Sequence, residues 1–196
     1  MTNPVAIVRL FIALPTPAEV KQAMADAIAR LRMTQADVRW ETAGKLHATL
    51  RFLGDTDERL VPRIRASLEG IAAATPPCTV TYRSFGCFPE RNNPRVIWIG
   101  VENPGGTLRR LNAEIEHSVR VIGFEPEDRE FHPHVTLGRV RSRHNVSSLL
   151  AMMESLTFQS NPVTIHDIHL IRSELKPTGS VYTIMASPTF IGKESP

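Results

Sequence analysis

Apolar positions recur along this chain in two periods, and the switches between them mark out its elements. Residues 5–14 form a mostly apolar run of strand length. In TPAEVKQAMADAIARLR, Val20, Met24, Ala27, Ile28 and Leu31 then fall at helical spacing. Thr16 suits a helix cap, Pro17 the first helical position, and Glu19 completes a capping box. VRW opens the next extended piece, and LHATLRFLG reads as a short strand ended by Gly54. A second helix is expected from Asp55 or Thr56, with Leu60, Ile64, Leu68 and Ile71 as its stripe. PPCTVTYRSFGCF is extended, and the polar turn PERNNP leads into the strand RVIWIGV. NPGGTLRRLNAEIEHSV is a turn and a helix, EPEDRE an acidic loop, and HVTLGRV a strand. Residues 145–156 form a short helix with Asn145 or Ser147 near its cap. VTIHDIHLIRSEL and GSVYTIMASPTF are two further extended segments joined by the turn KPTG.

Several neighbouring strands are joined only by turns, which favours antiparallel or mixed sheets and an α+β fold over a doubly wound parallel one. The two halves also repeat a layout of helix, His-bearing strand, helix and two strands. The expectation is one domain over residues 1–196, built as two pseudo-symmetric lobes. The length of 196 residues is enough for a sizeable core.

Composition narrows this little. Hydrophobic residues make up 42% and charged residues 22%, which excludes global disorder. The net charge of +3 suits a phosphorylated or nucleic-acid substrate as well as an ordinary basic surface. The first apolar run is too short to span a membrane and lacks a cleavage pattern, so a cytoplasmic protein is expected. Cys78 and Cys87 have no CxxC spacing and read as two free thiols.

The chemistry lies in a repeat. His-x-Thr-Leu occurs at residues 47–50 and again at residues 134–137. In a strand, residues two apart share a side, so His47 pairs with Thr49 and His134 with Thr136 on one face. Ala48, Leu50, Val135 and Leu137 take the other. Zinc usually takes three or four ligands, and threonine is a poor one. His132, His166, His169 and Asp167 add no closed set. Acid–base work fits better: one neutral imidazole accepts a proton, one charged imidazole gives one, and hydroxyls donate to an anionic oxygen. Neither tetrad holds a Ser or Cys nucleophile, so the pattern describes in-line phosphoryl transfer.

The duplicated motif resembles that of the 2H phosphoesterase superfamily. LHATLRFLGD and FHPHVTLGRVR are especially similar to the RNA 2′,3′-cyclic phosphodiesterases, historically called 2′-5′ RNA ligases. RLFIALP, Trp40, RVIWIGV and RSEL…GSVYTI follow in the matching order, so the resemblance covers nearly the whole chain. It implies a two-lobed 2H phosphoesterase fold with antiparallel sheets, helices outside and a central cleft. It also implies opening of a 2′,3′-cyclic phosphate to a 2′-phosphate, joining of RNA ends in some members, and no metal or other cofactor. By the same resemblance His47 is the proton donor to the departing 3′-oxygen and His134 the base. Thr49 and Thr136 hold the non-bridging oxygens. The implied partner is RNA with 2′,3′-cyclic phosphate ends, or small cyclic nucleotides, bound by a monomer that has no membrane role. Two alternatives stay open: a phosphodiesterase for another small cyclic phosphate, and a protein that binds RNA termini without turnover.

Other side chains are placed by alternation. Arg51, two beyond Thr49, shares the His47 face unless a bulge shifts it, and is read as a cleft cation rather than a solvated rim residue. Phe52 points into the core with Leu50. Gly138 shares the His134 face and leaves room for substrate. Arg139 occupies a position that the family uses, yet alternation turns it away from His134 unless Gly138 re-aims the strand. Arg143, with Arg141 and His144, forms a basic cluster suited to phosphates or simply to solvent; Arg91 and Arg95 are similar. His132 reads as a rim or structural residue, His166 and His169 as ordinary strand positions, and His117 as surface. Tyr182 is the aromatic placed at the cleft, where it contacts substrate; Phe11, Phe85 and Phe131 are stacking candidates that serve equally as core.

Overall fold

The computed structural model describes residues 6–177 and 179–193. Val5 and Thr178, at the margins of an expected strand and turn, lie outside the described residues. The first half of the chain forms β1 (Ile7–Pro15), α1 (Ala18–Arg32), β2 (Val38–Trp40), β3 (His47–Asp57), α2 (Val61–Ala74), β4 (Cys78–Phe88) and β5 (Val96–Glu102). The second half forms α3 (Thr107–Ile122), β6 (His134–Val140), α4 (Val146–Ser155), β7 (Val163–Ile165), β8 (His169–Lys176) and β9 (Gly179–Ala186).

The expected α+β class holds, with antiparallel pairing throughout. The strands run in the order β7-β4-β5-β6-β3-β1-β8-β9, with β2 also on β6. One lobe is β3, β1, β8 and β9; the other is β7, β4, β5, β6 and β2. A single backbone pairing, Ala48 with Val135, connects β3 to β6 and so joins the lobes. The stripes of all four helices enter one hydrophobic core: Val20, Met24, Ile28 and Leu31 from α1, Ile64 and Leu68 from α2, Leu111 and Ile115 from α3, and Leu149 and Met153 from α4. Each such side chain contributes roughly 1.5–3 kcal/mol on full burial. All four helices therefore cover the same face of the sheet, and the other face is left for the site.

Local boundaries differ from the pattern where tertiary pairing overrides it. Pro17, not Thr16, is the residue before α1, and no side chain caps it. β3 does not stop at Gly54; it continues to Asp57 because Gly54–Asp57 pair with Leu10–Ile7 of β1. The second helix accordingly begins at Val61. VTIHDIHLIRSEL is two strands, not one. β7 pairs with β4 in one lobe and β8 with β1 in the other, so the chain crosses between lobes at residues 166–168. No helix among the described residues is long and apolar enough to cross a membrane.

Candidate active site

The Ala48–Val135 pairing is also the axis of the site. Ala48 and Val135 are 2% and 0% exposed and point into the core. Residues flanking an antiparallel pair turn to the opposite face and lie beside one another. The register therefore sets His47 next to Thr136 and Thr49 next to His134. Each histidine stands beside the other motif's threonine, and all four line the helix-free face.

Nδ1–H of His134 donates to the His132 carbonyl two residues earlier, at 2.6 Å. At His47 the Lys45 carbonyl, also two residues earlier, acts on the ring in the same sense. A carbonyl only accepts, so Nδ1 of His134 carries the hydrogen and Nε2 is left for substrate. Burial pushes His47 down to about 4, opposed by the Lys45 carbonyl and reinforced by Lys21, His169 and His134. Burial lowers His134 as well, against the pull of the His132 carbonyl. Aromatic rings supply that burial. Phe11 stacks on His47 at 4.8 Å and Tyr182 meets it edge-on at 5.5 Å. Phe88 and Trp98 pack against His134 at 5.0 and 6.0 Å.

Just beyond each threonine, the strand breaks step in the same place. On β3, Ala13 pairs with Thr49 and Ile12 with Arg51, so Leu50 is a bulge. On β6, Trp98 pairs with Thr136 and Ile97 with Gly138, so Leu137 is a bulge. An extra residue reverses the alternation beyond it. The carbonyls lifted out of the ladders find other donors: Asn112 Nδ2 donates to Leu50 at 2.9 Å, and the Glu41 N–H to Leu137 at 2.8 Å.

These two bulges correct three placements and decide a fourth that alternation left open. Arg51 does not face the cleft; it is 8% exposed, on the helix side. There its Nε lies 2.7 Å from Glu116 of α3 and its Nη1 3.3 Å from Glu127. Its guanidinium also donates to the Phe52 and Glu125 carbonyls. The Nε–H is not aimed along the line to Glu116, so that contact is an ion pair rather than a linear hydrogen bond. Phe52 is not core; it is 48% exposed and packs on Phe11 at 5.5 Å, on the His47 face. Gly138 does not share the His134 face. A Cβ there would meet Val38 Cγ1 at 2.7 Å and Trp40 Cε3 at 2.9 Å. Its missing side chain admits β2, not substrate. Arg139, one residue on, is exposed on the cleft face, where its charge acts on both His134 and Tyr182.

Tyr182 is beside His47, with Lys45 Nζ 5.9 Å from its ring centre. Arg143 is not gathered in. It is exposed with Arg141 and His144 in the turn between β6 and α4, and no side-chain hydrogen bond or ion pair among the described residues ties it to the site. His132 lies at the rim, its ring 4.9 Å from Trp98. His169 is a residue that alternation within one strand did not reveal. It pairs with Ala13, which pairs with Thr49, so it joins the cleft face from β8 and reaches Asp167 at 3.5 Å. Only the pairing of β1 with both neighbours carries that signal. Cys78 and Cys87 are unpaired thiols, and burial pushes Cys78 up to about 11. Among the described residues, no group of three or more His, Cys, Asp or Glu side chains is arranged to hold a metal.

The model of the 2′-5′ RNA ligase superfamily matches residues 17–177. The RNA 2′,3′-cyclic phosphodiesterase of Thermotoga maritima is 31% identical over 94% of this chain and 96% of its own. The protein of the same name from Methanothermobacter thermautotrophicus is 32% identical over 91% of this chain and 96% of its own. A crystal structure of a Thermus thermophilus protein superposes with a TM-score of 0.81 at 28% identity, covering 95% of this chain and all of that one. Apo LigT of Escherichia coli shares the fold at a TM-score of 0.73 and 24% identity, over 93% of this chain and 97% of that one. A duplicated His-x-Thr-Leu across one shared backbone pair, on a sheet of this topology, is thus matched from end to end: the chain belongs to the 2′-5′ RNA ligase superfamily.

Proposed function

We propose that this protein opens 2′,3′-cyclic phosphates at RNA ends to leave a 2′-phosphate. The observation that carries the reading is the Ala48–Val135 pairing, which brings two imidazoles and two threonine hydroxyls around one point. His134 takes a proton from water as the water oxygen attacks phosphorus. The bond from phosphorus to the 3′-oxygen breaks, and His47 gives that oxygen a proton. Thr49 and Thr136 donate to the non-bridging oxygens, where charge accumulates. The reaction needs one ring charged and one neutral, while burial favours the neutral form of both. The anionic phosphate supplies the missing stabilisation, so the proton is taken up with substrate. A ribose 5′-hydroxyl in place of water would give a 2′-5′ bond by the same displacement. Tyr182 flanks the phosphate, and Arg139 binds substrate one same-face row beyond Thr136. Both motifs come from one chain, so a monomer of one two-lobed domain suffices. The unpaired thiols fit a reducing compartment, the cytoplasm.

The test is an oligonucleotide ending in a 2′,3′-cyclic phosphate, with chelator present. It should open to a 2′-phosphate, and His47→Ala and His134→Ala should each lower turnover by about 10²–10⁴-fold. A 3′-phosphate product would reverse the leaving oxygen. Wild-type turnover in both variants would overturn the two-histidine mechanism.

A further inference from the structure

We propose that Arg39 and Arg139 form a fork that binds the phosphodiester one nucleotide upstream of the reacting phosphate, so that the protein selects RNA ends over single nucleoside cyclic phosphates. This rests on the phosphodiesterase reading above. Arg39 of β2 is paired directly with Arg139 of β6. Side chains directly opposite in an antiparallel pair stand about 5 Å apart at Cβ, and like charges there are destabilising. Neither guanidinium has an ion-pair partner within reach among the described residues, and both are exposed. The other neighbour of Arg139 is Val96 of β5, which brings no carboxylate. Glu41, two residues beyond Arg39, is the acidic group on this side, and Tyr182 feels it together with Arg139, Arg39 and Arg9. Val38 and Trp40 pack on the core, so Arg39 between them turns to the opposite, cleft face together with Arg139.

Two features of the backbone hold this costly pair together. The Leu137 bulge turns Arg139 to the cleft face, one same-face row beyond Thr136, a step of about 7 Å along the strand. Gly138 lets Val38 and Trp40 lie close against β6, which brings Arg39 alongside. The pseudo-equivalent position in the other lobe, one row beyond Thr49, holds Phe52 instead. The two ends of the cleft are therefore chemically unlike, one flat and apolar, the other doubly cationic. A phosphodiester bridging two guanidiniums relieves their repulsion and satisfies both forks with charge-assisted hydrogen bonds. A mononucleoside cyclic phosphate spends its only phosphate at the histidines and leaves the fork empty.

The experiment compares kcat/KM for a dinucleotide ending in a cyclic phosphate with that for the mononucleoside 2′,3′-cyclic phosphate. In wild type the dinucleotide should be favoured. Arg39→Gln should lower the dinucleotide-to-mononucleotide ratio by about tenfold, and Arg39→Lys by less. A neutral methylphosphonate at the upstream linkage should lower the wild-type ratio by a similar factor, with little further effect in Arg39→Gln. The salt dependence of dinucleotide binding should flatten by about 0.7 in log–log slope. A ratio in Arg39→Gln equal to that of wild type, or wild-type indifference to the methylphosphonate, overturns the fork. Wild-type inactivity on both substrates overturns the phosphodiesterase reading and the fork with it.

Discussion

Replacing Arg51 with methionine separates two accounts of that residue by sign. Simple strand alternation makes it a cleft cation, whose loss costs turnover and spares stability. The bulge at Leu50 makes it a buried tie between β3, α3 and the loop ahead of His134. Breaking a buried ion pair from one side costs roughly 3–5 kcal/mol, because the other charge is left unpaired. The Glu116 side chain is 23% exposed, so water recovers part of that cost, and Glu127, 42% exposed, adds little. Two backbone carbonyls also lose a donor. The expected loss is about 3 kcal/mol, read as a lower urea midpoint at constant slope. Arg51→Met/Glu116→Leu should recover at least half of it, since the one carboxylate still without its partner, Glu127, is 42% exposed and solvated. A single variant within about 0.5 kcal/mol of wild type, with turnover lost, would refute the bulge argument.

His47 makes stability depend on pH. Its folded-state pKa, about 4, lies below the ordinary 6.5, so the unfolded chain binds the proton more readily. The contribution is intact above pH 6.5 and falls away as pH drops from 6.5 through 4, by up to about 3 kcal/mol. His47→Gln should flatten the stability profile in that window; an unchanged slope would show that His47 is not the titrating group. At Gly86, a Cβ would overlap the Trp98 ring, which is clamped against Phe88. Gly86→Ala should therefore cost about 1–3 kcal/mol and lower kcat by displacing the ring that packs on His134; a stable variant of full activity would show that Trp98 swings free.

The elements that periodicity located were the ones whose packing is local. The stripes of α1 and α2 face the core as spaced, and both tetrads lie on strands with Ala48 and Val135 inward. The two-residue rule succeeded from His47 to Thr49 and from His134 to Thr136, then failed within two residues of each. A bulge is a property of two strands, since it appears only when Leu50 is counted against β1 or Leu137 against β5. No feature of LHATLRFLG by itself says that its leucine is the extra residue. The placement of His169 was hidden for a similar reason, because it depends on a row of three strands distant in sequence. Gly54 misled in the opposite sense: a glycine reads as a strand end, and this one does adopt a φ of 69°, yet the ladder with β1 carries on past it.

The crossing of the chain between lobes has a consequence for synthesis. β1 lies between β3 and β8, and β8 comes late in the order of the described strands. At roughly 5–20 residues per second, the apolar edge of β1 waits for its second neighbour while β2 to β7 are made. During that interval Leu10–Leu14 is an unpaired edge, the kind of surface that invites intermolecular pairing. Tyr182 arrives still later, so the ring that meets His47 edge-on joins Phe11 only once β9 docks. A nascent chain carrying both tetrads in full therefore still lacks one of the two rings that pack on His47, and that ring belongs to neither motif.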